Sequence, residues 1–405
     1  MVLSGIEQFN NKNVLLLQGP VGPFFKRFAF DLKQAGANVY KINFNGGDSF
    51  FYPTSSIHFR KSFGEWPEYF LKIIEQHKID SVLLFGDCRM YHRIARSIAQ
   101  AKGLYVGVYE EGYIRPNFIT FENLGTNGHS KLPKNADFYN RLNDRDILRS
   151  NVVQLGNSFW YAAWYAMLYY LFSALLSPLF PYYQHHRSLE LSEIRYWIKS
   201  IWRKQYYKLK EFRLKKYLNQ QMHKEYFLVP LQVATDFQIR EHSSYDSCHT
   251  FIKEVMRSFS KYSPSNTLLV IKHHPLDRGH NDYQSFIERK AVQYGIKNKV
   301  YYIHDLHLPT LLHHARGVVV INSTVGLSAF NHNLPVKTMG QAIYDLPGLT
   351  YQKSLDSFWT DAHFFKIDQM LRKNFQGYLI KKTQINGSFY LRIANSSNKS
   401  GIRWK

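Results

Sequence analysis

Cysteine is nearly absent: Cys88 and Cys248 are the only two in 405 residues. That excludes a disulfide framework and makes a reducing compartment the default expectation. The opening stretch MVLSGIEQFNNKN lacks a charged segment followed by an apolar one, so no secretory signal is read there and the cytoplasm is the simplest address. Long low-complexity tracts are also missing. With 45% hydrophobic residues the composition is that of a folded chain, and the length suits two domains, each with its own core. The glycines show neither the Walker nor the dinucleotide spacing. Metal-ligand spacing is lacking as well. Asp144-Arg145-Asp146 matches a loose D-x-D pattern but sits outside any strand-end context, and His313 and His314, adjacent on one helix, cannot turn to the same ion. Neither a metal nor a cofactor is expected.

Acidic residues are in deficit. Against 30 Asp and Glu stand 52 Lys and Arg, a net charge of +22, which implies an anionic partner: nucleic acid, membrane lipid or a phosphorylated substrate. An aromatic content of 16% fits base stacking and the membrane interface equally well. Position along the chain decides between them.

Short apolar runs alternate with helical patterns in the first third: VLLLQG, NVYKINF, SVLLFGD and LYVGVYEEG as strands, with helices after Pro23, over EWPEYFLKIIEQHK and over YHRIARSIAQAKG. The rhythm resumes after Glu225 with EYFLVPLQ, TLLVIKHHP, KVYYIHD and GVVVIN, and a last helix opens at Ser323 and runs to PVKTMG. Buried strands alternating with amphipathic helices mean βαβ units and parallel sheets. The expectation is two Rossmann-like domains facing a cleft, with boundaries at 1–148, 149–224, 225–362 and a C-terminal segment 363–405 packing back across them. In such sheets ligands sit at the carboxyl ends of strands.

Between the halves, Ser150 to Gln184 carries no charge, and FWYAAWYAMLYYLFSALLSPLFPYY is crowded with aromatics. It is long enough to span a bilayer at roughly 20 apolar residues. However, its Trp and Tyr are scattered rather than gathered at the ends, and Pro178 and Pro181 interrupt it. A basic amphipathic stretch follows from Arg187 to Lys216, interleaved with aromatics. Three readings stay open: contact with an anionic membrane surface, a buried inter-domain helix beside a solvated basic one, and a true span.

Four strand ends carry candidate chemistry. In IKHHP, the strand running into Lys272 ends at His273, His274 and Pro275, where a histidine can donate to a phosphate oxygen. In INSTVG, Asn322, Ser323 and Thr324 open a helix and Gly326 keeps the backbone close, an anion site that a plain N-cap would equally explain. Gln232 and Asp236 follow the strand of LVPLQVATD, where a carboxylate could be base, nucleophile or ribose ligand. Glu110 and Glu111 end VYEEGYIRP, with Arg115 nearby, and suit acid/base work on an acceptor hydroxyl. The loop GPVGPFFKR, with Gly19, Gly22, Lys26 and Arg27, could hold an anionic acceptor or simply turn the chain.

Taken in order, QGPVGPFF, YEEGYIRPN, the Gln232-x-x-x-Asp236 pair, His274-Pro275, INSTVGLSAF and PVKTMG resemble the capsular polysaccharide biosynthesis family of bacterial β-Kdo transferases, of the KpsS/LipB type. The resemblance spans nearly the whole chain. It implies a GT-B fold, an acceptor on the N-terminal domain and CMP-β-Kdo on the C-terminal one, with Kdo passing to a phosphatidylglycerol-type lipid and retention of configuration. It also implies a second β-Kdo transferase extending the primer and a place at the inner face of the cytoplasmic membrane. The alternatives are another nucleotide-sugar-dependent GT-B enzyme and a non-catalytic capsule-assembly or RNA-binding protein; no nucleic-acid partner is expected, because the basic residues cluster beside an apolar anchor rather than in a recognisable RNA-binding fold. Asp236 would be the nucleophile, Glu110 or Glu111 the acid/base group and His274 a contact to the CMP phosphate. One departure stands out: Val233, Ala234 and Thr235 precede Asp236 where relatives carry acidic residues.

Overall fold

A computed structural model describes residues 5–147, 152–184 and 193–404. Within them the strands are β1 (Asn13–Leu16), β2 (Asn38–Asn43), β3 (Ile57–His58), β4 (Ser81–Phe85), β5 (Tyr105–Glu111), β6 (Phe118–Asn123), β7 (Tyr226–Pro230), β8 (Leu268–Lys272), β9 (Val300–Ile303), β10 (Gly317–Val320), β11 (Val336–Thr338) and β12 (Gln384–Asn386). They form two sheets, and the chain divides into two compact units. Unit 1 comprises residues 1–132, 143–191 and 377–405, and unit 2 residues 133–142 and 192–376.

The sheet of unit 1 runs β12-β6-β5-β4-β1-β2-β3. Its β1, β2, β3, β4 and β5 are parallel, while β6 and β12 join antiparallel. Both faces are covered, which is why its central strands read as unbroken apolar runs. Val14 and Leu16 pack with Phe24, Phe28 and Leu32 of the helix Phe24–Gln34. Leu15 and Leu17 point the other way, to Trp66, Phe70 and Ile73 of the helix Trp66–Gln76. Each such side chain, fully buried, contributes about 1.5–3 kcal/mol.

Unit 2 has the order β11-β10-β7-β8-β9, parallel throughout. Phe227, Val229, Ile271 and Val319 pack against Phe251, Val255 and Phe259 of the helix Cys248–Tyr262. Both sheets of the expected α/β architecture are therefore present. The helix opening after Thr324 is short, Val325–Phe330, and PVKTMG is strand β11 rather than the end of that helix.

The middle segment divides between the units. Its aromatic half forms the helix Phe159–Leu175 in unit 1. There it lies against the short helix Gly46–Phe51 so closely that a Cβ on Gly46 would come within 2.2 Å of the Phe172 carbonyl oxygen. A Cβ on Gly47 would strike Tyr169 and Ser173. Phe50 stacks on Phe172 with ring centroids 3.7 Å apart. Tyr169 and Ser173 are buried, whereas Trp160, Trp164, Met167, Leu171 and Leu175 are exposed; their spacing of four, three, four and four residues makes one stripe along the helix. Among the described residues no helix is long and apolar enough to cross a membrane.

The basic half belongs to unit 2 from Ser192 onward, and Arg187 lies outside the described residues. Its helix Glu193–Lys210 is fastened by stacking. Tyr207 lies on His304 at 3.6 Å and 10°, and Tyr196 on His280 at 4.7 Å and 19°. Arg203 binds the Arg278 carbonyl and the Asp282 carboxylate, both at 2.8 Å. Ile198, Ile201, Trp202 and Leu209 remain exposed.

Candidate functional site

In unit 1 the carboxyl ends of β1, β2, β4 and β5 gather a polar network. Gln18, buried just beyond β1, donates to Asp48 (3.1 Å), Tyr169 Oη (2.9 Å) and Tyr183 Oη (3.0 Å). Its carbonyl accepts from Arg89 at 2.9 Å. Asp48 also accepts from the Phe44 N–H at 3.0 Å, and Asn45 donates to Tyr169 at 2.6 Å. These partners satisfy polar groups that burial would otherwise penalise.

Glu110 ends β5 beside this network. Its Oε2 lies only 3.6 Å from where a Cβ on Gly86 would stand, next to the Arg89 side chain. Surrounding protein pushes the carboxyl up to about 7; the Glu111 N–H, donating at 3.1 Å, only partly offsets this. Desolvation disfavours the charged form, so this group exchanges a proton near neutrality. Glu111 turns elsewhere and accepts from Tyr390 Oη at 2.9 Å. A second raised carboxyl, Glu122 on β6, also reaches about 7 through burial, but it is held by Tyr113 Oη (2.7 Å) and the Ser130 hydroxyl.

The loop after β1 is built on its glycines. Gly22 has φ +105° and the Tyr165 ring where a Cβ would point, so a side chain there is both strained and crowded. Lys26 is exposed. Arg27 is directed to the Phe389 carbonyl (3.2 Å), and Arg115 to that of Gly112 (3.1 Å).

In unit 2 the ends of β7 and β10 come together. Gln232 donates to Asp236 Oδ2 at 3.1 Å and accepts from the Asn322 N–H at 3.5 Å. Asp236 Oδ1 caps the short helix Phe237–Glu241 through the Gln238 N–H at 2.9 Å. Asn322 in turn donates to the Gln238 carbonyl at 2.9 Å. Near neighbours in sequence thus hold the carboxylate, and Asn322 from the end of β10 ties those neighbours together.

The two histidines of IKHHP part company. His273 is buried, with Tyr302 Oη at 2.6 Å, and burial holds its ring down to about 4. His274 is half-buried and its Nδ1 accepts from the Leu276 N–H at 3.2 Å, capping the turn Pro275–Asp277. That bond puts the proton of the neutral ring on Nε2. Lys272 is buried and directed to the His304 carbonyl at 2.9 Å, its ammonium lowered to about 8 by burial.

In INSTVG the Ser323 hydroxyl accepts from the Val325 N–H at 3.3 Å, an ordinary capping turn. Gly326 makes room inside the fold: a Cβ there would sit 2.3 Å from Tyr344 Oη, which bonds the Ser323 carbonyl. Thr324 occupies the cap position of the following helix without a side-chain capping bond.

Gln18, Asp48, Arg89 and Tyr169, with Lys41 buried on β2 and its Nζ on the Ile42 carbonyl, are not among the candidate site residues of the sequence. A signal existed for three of them: Gln18 and Asp48 follow apolar strand runs, and Lys41 interrupts one.

The family described as capsule polysaccharide biosynthesis protein matches residues 80–390. Capsule polysaccharide export protein KpsS of Escherichia coli is 44% identical over 94% of this chain and 97% of its own. Capsule polysaccharide modification protein LipB of Neisseria meningitidis serogroup B is 39% identical over 96% of this chain and 94% of its own. Among solved structures, Thermosulfurimonas dismutans KpsC, beta Kdo 2,7 transferase, is 15% identical with a TM-score of 0.43, covering 89% of this chain and 94% of that one.

Proposed function

Since the chain belongs to the capsule polysaccharide biosynthesis protein family, we propose that it is a GT-B β-Kdo transferase, moving Kdo from CMP-β-Kdo to a phosphatidylglycerol-type lipid with retention. A second β-Kdo transferase then extends the product. The observation that carries the reading is Glu110, a carboxyl near the end of β5 beside the Arg89 side chain and Gly86, which burial pushes up to about 7. Such a group takes a proton from an acceptor hydroxyl at neutral pH, where an ordinary glutamate would be too weak a base.

The chemistry runs in two displacements. An oxygen of Asp236 attacks the anomeric carbon, the bond to the CMP phosphate breaks, and the His274 Nε2–H donates to the departing phosphate oxygen. The acceptor hydroxyl oxygen then displaces Asp236 from the same carbon while its proton passes to Glu110. Two inversions leave the configuration unchanged. Gln232 and the Gln238 N–H hold both oxygens of Asp236 and so orient the carboxylate.

Incubation with CMP-Kdo and a fluorescent phosphatidylglycerol is expected to give a more slowly migrating product, and CMP rather than UDP is expected to raise the melting temperature. Protection by UDP alone would instead favour another nucleotide-sugar enzyme.

Peripheral binding to the cytoplasmic face of an anionic membrane follows from the same reading. The exposed stripe from Trp160 to Leu175 supports it, and the net charge of +22 adds attraction of about 1 kcal/mol for each basic residue close to such a surface. Co-sedimentation with liposomes should strengthen with anionic lipid, weaken with salt and fall in a Trp160→Ser/Trp164→Ser variant. Binding indifferent to all three would refute surface contact.

A further inference from the structure

Arg89 has no part in the transfer chemistry, yet its surroundings hold the guanidinium in one orientation. Its Nη1 donates to the Gln18 carbonyl at 2.9 Å, and Gln18 is itself fixed by Asp48, Tyr169 and Tyr183. The group lies over the Phe85 ring, 5.0 Å from its centroid. That leaves the edge made by Nε and Nη2. Neither atom has a hydrogen-bond partner among the described residues, and both are open to solvent. A carboxylate would ordinarily occupy such an edge. Among the described residues none comes within ion-pair distance of it, and the nearby Asp87 is taken by Arg96 at 2.9 Å.

Placement gives this edge its use. Arg89 follows β4 and precedes the helix Met90–Ala101, whose first turn contains no acidic residue, so the positive end of the helix dipole adds to its charge. The point where a Cβ on Gly86 would stand lies 3.4 Å from Arg89 Nε and 3.6 Å from Glu110 Oε2. The open edge and the proposed base therefore flank one glycine at the strand ends. An acceptor anchored on Arg89 must carry a hydroxyl only a few bonds from its anionic group. A glycerol phosphodiester does, and a planar guanidinium meets two phosphate oxygens at once. A single charge suits the place better than two, because a dianion would set its second charge, unpaired, beside the Glu110 carboxyl.

We infer that Arg89 binds the phosphodiester of the lipid acceptor through Nε and Nη2 and so sets a glycerol hydroxyl at Glu110. The assignment rests on the lipid-acceptor reading and deepens it by naming the residue that recognises the headgroup charge.

The test titrates dihexanoyl phosphatidylglycerol, below its micelle concentration, calorimetrically into the full chain without donor. The titration is repeated with the same lipid methylated on its phosphate, which keeps the shape and removes the charge. The wild-type chain is expected to prefer the charged lipid by about tenfold or more. In Arg89→Gln that preference should vanish while the methylated lipid binds as before; a merely structural loss would weaken both lipids together. Arg89→Lys, which keeps the charge without the planar pair of donors, should retain only part of the preference. An undiminished preference in either variant would overturn the assignment and leave the lipid-acceptor reading standing. Failure of the wild-type chain to bind either lipid would overturn both. Displacement of the lipid by inorganic phosphate at equal concentration would assign Arg89 to free phosphate and overturn the assignment as well.

Discussion

Asp236→Asn is expected to lower transfer by roughly 10⁴-fold or more, the scale on which loss of a covalent nucleophile is felt. Asparagine is the informative replacement. Asp236 also caps the helix Phe237–Glu241 through the Gln238 N–H, and alanine would remove that cap at about 1 kcal/mol. Asparagine keeps an oxygen for the cap and loses the nucleophile, so the two roles separate. The wild-type chain, stopped during turnover, should carry Kdo on the peptide containing Asp236, measured by mass spectrometry. An adduct elsewhere, or wild-type rates in the variant, would move the nucleophile off this residue.

Glu110→Gln is expected to lower the rate by about 10²–10⁴-fold, as for loss of a general base, and to change its pH dependence. The base form of Glu110 exists above about 7, so wild-type activity should rise as pH increases through that value and then level off. The glutamine variant should lack that limb. Stability moves the opposite way. The folded carboxyl holds its proton to higher pH than the unfolded one, so its contribution is complete below the ordinary glutamate range and is lost as pH rises towards 7. The variant should therefore gain melting temperature relative to wild type at pH 8 but not at pH 4. A pH–rate profile of unchanged shape would exclude Glu110 as the base.

Much of this was legible along the chain because apolar period and turn chemistry report local structure directly. The parallel strands β1, β2, β4, β5 and β7–β10 announce themselves as apolar runs ending in polar residues. The antiparallel strands β6 and β12 did not, since Gln384–Asn386 becomes a strand only by pairing with Phe118–Thr120. The three-residue β11 was too short to break the helical reading of its surroundings. Site residues divide in the same way. The placing of Glu110, Gln232 and Asp236 at strand ends was readable, because a strand end is a local event. Which of two neighbours turns inward was not: His273 and Lys272 are occupied within the sheet of unit 2, and that depends on Tyr302 and His304, some 30 residues later. Gly326 shows the limit most plainly. Its missing side chain is explained by Tyr344, a partner no spacing rule identifies.

The order of the units along the chain has a consequence for how the protein is made. The sheet bearing Glu110 is closed by β12, which follows unit 2 in sequence, and Gln384 there accepts from the Tyr113 N–H just past Glu110 at 3.0 Å. Further on, the N–H groups of Lys399 and Ser400 seal onto Asp31 at 2.7 and 2.8 Å. A ribosome therefore delivers all of unit 2 before unit 1 can shut. A nascent chain stalled at residue 376 would have the intact unit 2 sheet while β6 still presented an open hydrogen-bonding edge, the kind of surface on which chaperones and proteases act.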